Sequence, residues 1–380
     1  YRRWKTNAVQ LYDYLNTVNS IWPSLTVQFF PDVETVEENK KYKYRLLSGT
    51  FTSGQREDYL QLGSFTVKSE IEEVDISKYD QDLEEFISSN PISGKFNYDQ
   101  KILHQGDINK ARYMPQKPDL ISTINNNGEI FIFDKTKHSS QPSDEFKFEI
   151  KLNSHKKEGF GLSWNNFKEG LLLSSSIDGV TKLWDITKYS KNCKIMDTPT
   201  NNFTTDSKGT NDVEWIPTHN SIFGTVGEDN IVKIFDTRTN SILKQNEPKH
   251  HTGGINALSF NHENQFCLAT ADSNGILNIW DIRDFSKPIF QTSKAHNGSI
   301  STISFNENKP NILATAGADD NLVKLWDFSK EEDNQLIFTH GGHMLGINDI
   351  AWNPHDDWMI SSVSNDNTLQ VWKPSKQLIN

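Results

Sequence analysis

Cysteine is almost missing from this chain: Cys193 and Cys267 are its two thiols in 380 residues. They stand far apart with no CxxC and no His/Cys cluster, which excludes a disulfide framework and offers no zinc site. Long apolar runs are missing too. No stretch reaches the roughly 18 uncharged residues of a membrane helix, and no basic-then-apolar leader opens at Tyr1, so a soluble, intracellular protein is expected. Catalytic signatures are equally scarce. There is no H-E-x-x-H, no Walker loop and no G-x-S-x-G, and Gly159-Phe160-Gly161 lacks the third glycine and the βα setting of a dinucleotide fold. The expectation is a protein that is not an enzyme, with no cofactor and no metal. Positive charge is the last shortage. Thirty-nine Lys and Arg against fifty Asp and Glu leave a net charge of −11, which repels nucleic-acid phosphate and favours a basic partner.

Aromatic residues, at 11%, are too many for a disordered chain. Their placement is periodic. Aromatic-Asp pairs end β-like runs at Phe133-Asp134, Trp184-Asp185, Phe235-Asp236, Trp280-Asp281 and Trp326-Asp327, and Trp372-Lys373 is a degenerate last member; the steps are 51, 51, 45, 46 and 46 residues. Twenty-nine residues before each aromatic stand His104, His155, Asp206, His251 and His343, with His296 thirty before Trp326. Nine residues further on come Tyr113, Trp164, Trp215, Phe260, Phe305 and Trp352. A third register, six before the terminal aromatic, holds Asn127, Asp178, Asp229, Asn274, Asp320 and Asp366, whose side chains can hold a tight turn. Thr123, Ser174, Thr225, Thr270, Thr315 and Ser362 precede those turns. Indole and imidazole need partners when buried, and the hydroxyls and carboxylates of these registers supply them.

Four short strands per unit of about 45 residues is the signature of a propeller blade. Six units cover 104–373, and Tyr44–Val67 reads as part of a divergent first blade. The fold class is therefore all-β, a seven-bladed WD-repeat propeller occupying residues 21–380. The apolar run 25–30 is expected to close the ring as the outer strand of the last blade, covering an aggregation-prone edge. Trp4, Ala8, Leu11, Tyr12, Leu15 and Val18 recur at helical spacing, which predicts an amphipathic helix over 1–20 packed on the side of the ring. Ser69–Glu85 and Ile186–Asp206 read as excursions between blades.

Five of the eleven histidines sit in the repeat register and are assigned to structure. His340-Gly341-Gly342-His343 is a crowded cluster with no nucleophile to serve. What remains is the surface of a disc. Residues just after the repeat histidines line the channel mouth, among them Asp107, Asn109, Glu158, Asn211, Ser299, Ser301 and Asp349. Their polarity fits either ordinary solvated loops or a partly acidic mouth for a basic peptide, and the net charge favours the second.

Beyond the repeat, four stretches are more specific: Trp22-Pro23-Ser24-Leu25-Thr26-Val27-Gln28, Asn109-Lys110-Ala111-Arg112-Tyr113-Met114-Pro115-Gln116, Glu158-Gly159-Phe160-Gly161-Leu162-Ser163-Trp164, and Thr339-His340-Gly341-Gly342-His343. In these the chain resembles the retinoblastoma-binding, MSI-like WD-repeat histone chaperones. Ala271-Asp272-Ser273-Asn274-Gly275 and His343-Met344-Leu345-Gly346 make it most similar to fungal forms that act as the small subunit of chromatin assembly factor 1. The resemblance implies a nuclear, non-enzymatic scaffold that binds histones H3–H4 and docks on larger subunits of a nucleosome-assembly complex. It also implies two sites. The first is a groove for the H4 helix, with Leu11, Tyr12 and Leu15 on one wall, Glu331, Glu332 and Asp333 as acids, and Leu336, Ile337 and Phe338 as floor. The second is the channel mouth, taking an H3 tail or a basic peptide at Asp107, Asn109, Glu158, Phe160, Asn211, Asp349, Asn365 and Asn367. Departures from the family bear on both. Gln10 replaces a Phe and the acidic loop is short; Asn211, Asn365 and Ile21 replace Glu, and Ser301 replaces Phe. An accessory subunit of a histone acetyltransferase or other chromatin-modifying complex is the rival within chromatin; a generic WD-repeat adaptor and a propeller hydrolase are the rivals outside it.

Overall fold

In a computed structural model, the protein is described at residues 2–36, 40–68, 79–80, 85–86, 96–189, 194–206, 208–331 and 334–379. The excursion expected at 69–85 falls almost wholly outside the described residues.

Alternating and β-branched runs become strands. Among the described residues they assemble into seven principal sheets, each an antiparallel meander of four strands, with one parallel strand added to the second. The fifth blade shows the plan. Ile255–Phe260 lies innermost, followed outward by Cys267–Asp272, Leu277–Asp281 and Phe290–Thr292. Its register sets Phe260 opposite Leu268 and Leu268 opposite Trp280, so one row of side chains runs across the blade. That row packs against a neighbouring blade: Ala257, Ala269 and Ile279 share a cluster with Ile303, Phe305 and Trp326 of the sixth. The core is therefore a series of layers between blades. Truncating one of its fully buried indoles, such as Trp280, costs about 3–5 kcal/mol.

The repeat registers form the hydrogen-bond chain that their chemistry requires. In the fifth blade, Trp280 Nε1 donates to Thr270 Oγ1 (2.8 Å), which lies 2.8 Å from His251 Nε2, while His251 Nδ1 is 3.2 Å from Asp272. An indole only donates and a carboxylate only accepts, which fixes the direction of the chain. The same arrangement joins Trp184, Ser174, His155 and Asp178, and again Trp326, Thr315, His296 and Asp320. The seventh blade repeats it with Trp372, Ser362 and His343. In the fourth blade Asp206 stands in the histidine's place and accepts the backbone N–H of Asp229 (2.8 Å). Burial alone would raise the Asp178 carboxyl, but bonds from His155 and the Lys156 N–H outweigh it and hold it at about 2.

Ring closure differs from the expectation drawn from the sequence. A helix α1 (Arg2–Leu11) is followed directly by strand β1 (Tyr12–Asn19), and β1 is the outer strand of the seventh blade, pairing with Thr368–Pro374 so that Leu15 faces Trp372. The helix thus stops at Leu11 and does not reach residue 20. The cause is a second period in the same residues: Tyr12, Tyr14 and Asn16 alternate inward and are buried. The run 25–30 belongs to strand β2 (Val27–Val36), the innermost strand of the first blade, where Val27 pairs with Ser48. The chain thus closes its ring with a strand that precedes the first blade.

Candidate peptide-binding face and side groove

An antiparallel meander brings the outer-to-inner connections and the second-to-third-strand turns to the same face. This upper face carries the repeat histidines, and the inner strands surround the channel mouth there. Five residues after the histidine register stand Asn109, Asn211, Asn256 and Asn348. Each amide donates to a main-chain carbonyl of the next blade: Gly159 (3.0 Å), Ile255 (3.1 Å), Ile300 (2.9 Å) and Ser24 (3.0 Å). Each also reaches a second acceptor at the mouth, respectively Glu158 Oε1, Glu228 Oε1, Ser299 Oγ and Asn365 Oδ1, at 2.8–3.0 Å. These latches stitch blade to blade. Phe160 and Ser301 occupy the same register without an amide; Phe160 is 38% exposed, and Ser301 donates within its own blade to Ala316 O.

The residues expected at the mouth divide by what they are already bound to. Asn109, Glu158, Phe160, Asn211, Asn365 and Asn367 come together there. Asn109 is nearly inaccessible, and its Oδ1 has no hydrogen-bond partner. A buried acceptor left open in a mouth is a place for an incoming N–H. Asp107 is a different case. It is buried and accepts the N–H groups of Thr52 and Ser53 and the amide of Asn126, so it organises loops instead of presenting charge. Asp349 is corrected in the same way: it lies below the mouth, accepts the Val27 N–H (2.9 Å) and pairs with Arg112 (3.0 Å) across the channel wall.

Below the mouth the channel encloses about 240 Å³, lined by inner-strand residues of all seven blades. Here too side chains tie blade to blade, as when Phe260 N–H donates to Glu214 (2.9 Å) and Leu258 N–H to Asp212 (3.3 Å). Burial pushes the Glu214 carboxyl up to about 8 and lowers the neighbouring His262 imidazole. Lys110 lies 3.5 Å from Asp212. Among the described residues no group of His, Cys, Asp and Glu could hold a metal ion.

The side groove is built where α1, β1 and the outer strand of the sixth blade (Leu336–His340) meet. Tyr12, expected as a wall, is buried: its hydroxyl accepts the Trp4 indole N–H (2.7 Å) and sits 2.7 Å from His340 Nδ1. His340 in turn stacks on Trp372 at 4.3 Å between centroids. The His340-Gly341-Gly342-His343 cluster therefore ties α1 and β1 to the ring. Phe338 is likewise buried, whereas Leu11, Leu15 and Ile337 are half-buried against that core and Leu336 is exposed. These four are the apolar side chains that reach the surface. Glu331 is exposed beside them; Glu332 and Asp333 lie outside the described residues.

Sequence reasoning missed the asparagine latches, although their signal is present as Asn at a constant offset from the histidine register. It also missed the Trp4–Tyr12–His340 tie, which joins residues more than 300 positions apart.

Comparison with known proteins adds the following. Residues 1–68 match a family model described as histone-binding protein RBBP4 or its counterpart in the CAF1 complex. Residues 198–372, which carry the fourth to seventh blades, match a model described as the N-terminal domain of nucleolar protein 10-like proteins. Histone-binding protein MSI1 of Saccharomyces cerevisiae is 41% identical over 405 residues, covering 100% of this chain and 94% of that protein.

Proposed function

The chain belongs to the MSI1-type family of histone-binding WD-repeat propellers, and from that premise we propose that it is a non-catalytic scaffold that holds histones H3–H4 for a nucleosome-assembly complex. Larger subunits of a chromatin assembly complex of the kind named for the matching family would be its other partners, and the nucleus its place of work. The observation that carries the reading is the mouth: a buried, unpartnered Asn109 Oδ1 beside the Glu158 carboxylate and the exposed Phe160 ring. An open acceptor, a carboxylate and an aromatic face together suit the guanidinium or ammonium of a basic tail.

The half-buried strip of Leu11, Leu15 and Ile337 offers a second contact, for the apolar face of an amphipathic basic helix. Tyr12 and Phe338 serve beneath it as support. Glu331 supplies acid at its edge.

The test is a titration of an H3-tail peptide into wild type, Glu158→Gln and Phe160→Ser. The expected result is a loss of about fivefold to thirtyfold for each variant, the range of one charge-assisted or cation–π contact at a partly desolvated site. Unchanged affinity in both variants would overturn the assignment of the mouth.

A further inference from the structure

On the upper face, three large aliphatic side chains stand in water around a single turn. Ile21 is 85% exposed, Met344 62% and Leu345 51%. One such residue alone would be ordinary. These three are held together by backbone bonds to the same turn and its neighbours. Ser20 N–H donates to Asn367 O (2.8 Å) and Asn367 Nδ2 to Ile21 O (3.3 Å), which fixes Ile21 on one side of the turn. On the other side Met344 N–H donates to Asp366 Oδ2 (2.8 Å), Met344 O accepts from Asn321 Nδ2 (3.1 Å), and Leu345 O accepts from Ser364 Oγ (2.9 Å). The exposed side chains therefore ride on pinned backbone, and a ligand that covers them does not have to order a loose loop.

Two further features say what would cover them. The turn continues into the mouth, because Asn365 accepts from the Asn348 latch. The loops that form this corner, residues 20–26, 297–299, 318–322, 341–346 and 364–367, carry Asp319, Asp320 and Asp366 and no Lys or Arg. Acid around an apolar patch selects a cationic partner with an apolar anchor, and it disfavours nucleic acid and anionic lipid surfaces.

We propose that this corner of the seventh blade is the seat for one bulky aliphatic side chain of a basic peptide whose cationic side chains enter the mouth. The proposal rests on the reading of the mouth as a peptide site and adds the specificity of that site: arginine or lysine alone is not the full signal, and a neighbouring leucine-like residue completes it.

The experiment uses the full chain and a series of labelled synthetic Arg/Lys/Ser peptides in which one Leu is walked along the sequence, with the all-Ser peptide as reference, read by fluorescence anisotropy. At one or two positions Leu should strengthen binding about tenfold, the effect of burying most of an aliphatic side chain. Ile21→Ser and the double variant Met344→Ser/Leu345→Ser should abolish that gain and leave the all-Ser affinity and the thermal midpoint unchanged. Glu158→Gln should weaken both peptides. If Leu confers no gain at any position while Glu158→Gln still weakens binding, the mouth stands and this inference falls. If no peptide binds, the reading of the mouth fails first and takes the inference with it. A concentration-dependent dimer, dissolved by the double variant and seen by sedimentation, would assign the patch to a second copy of the chain and overturn the proposal.

Discussion

The fifth and seventh blades run the same local chemistry on different connectivity. In the fifth, four strands follow one another from Ile255 to Thr292, and the His251–Thr270–Trp280 chain closes within that segment. In the seventh, three strands come from Ile347–Pro374 and the fourth, Tyr12–Asn19, from the other end of the sequence. The His343–Ser362–Trp372 chain is intact in both distance and partners. What the seventh blade adds is a second layer: Tyr12, Phe338 and His340 pack around Trp372, and Trp4 bonds to Tyr12. The repeat makes a blade, and a non-local strand makes the ring. The same non-local meeting brings loops of both chain ends to one corner of the upper face and sets α1 beside the sixth blade, where the candidate sites lie.

The comparison is broken most severely by deleting residues 1–19. The Thr368–Pro374 edge would then be bare and the first and last blades no longer held in one ring, so loss of the cooperative transition and aggregation are expected in circular dichroism melts and light scattering. A folded, monomeric truncation would show that closure does not depend on β1. Next in size is Tyr12→Ala, which removes a buried ring and the partner of both Trp4 and His340. We expect about 3–5 kcal/mol in urea denaturation, against about 1–2 kcal/mol for Phe290→Ala in the half-buried outer strand of the fifth blade. Equal costs would erase the distinction between the blades.

A smaller and sharper effect comes from the shared chain. Thr270→Val and Ser362→Ala each leave a buried imidazole and indole short of a partner, and each should cost about 1–3 kcal/mol by the same denaturation measurement. Similar values in the two blades would support local repeat chemistry as common to both; a large excess at Ser362 would tie that chain to closure.

The smallest effects concern pH, and two groups give opposite slopes. Burial lowers His104 to about 4. Its neutral form is native, so its contribution to stability is whole above about 6.5 and declines as pH falls from there to about 4, by up to about 1.4 kcal/mol per unit. Glu214, raised to about 8, is protonated in the fold and ionised in the unfolded chain between about 4.5 and 8, so stability falls as pH rises through that window. Glu214→Gln should remove the second slope, and its thermal midpoint relative to wild type should climb from pH 5 to pH 8. A constant difference across that range would contradict a protonated Glu214 in the channel.

Much of this architecture was legible because it repeats. Six aromatic-Asp marks with fixed offsets to histidine and hydroxyl residues define blades, and the bonds found between them follow from donor and acceptor chemistry. Closure was hidden because Leu11, Tyr12, Leu15 and Val18 satisfy a helical period while Tyr12, Tyr14 and Asn16 satisfy a strand period over the same stretch; pairing with the Trp372 strand decided the matter. The site was half legible. Side-chain type placed Asn109, Glu158 and Phe160 at the mouth, but type does not reveal direction or commitment, so Asp107 and Asp349 read as presented charge although both are spent on backbone N–H groups. The apolar corner at Ile21, Met344 and Leu345 carries no periodic signal, since it is assembled from three loops.

The most direct measurement of the central claim is a titration of the purified chain against folded H3–H4 and, in parallel, against the other core histone pair, at low and physiological salt. Shaped sites on a scaffold predict binding selective for H3–H4 that survives physiological salt. Equal binding of both pairs that disappears as salt rises would show that the net charge of −11 explains the attraction by itself, and would contradict the account.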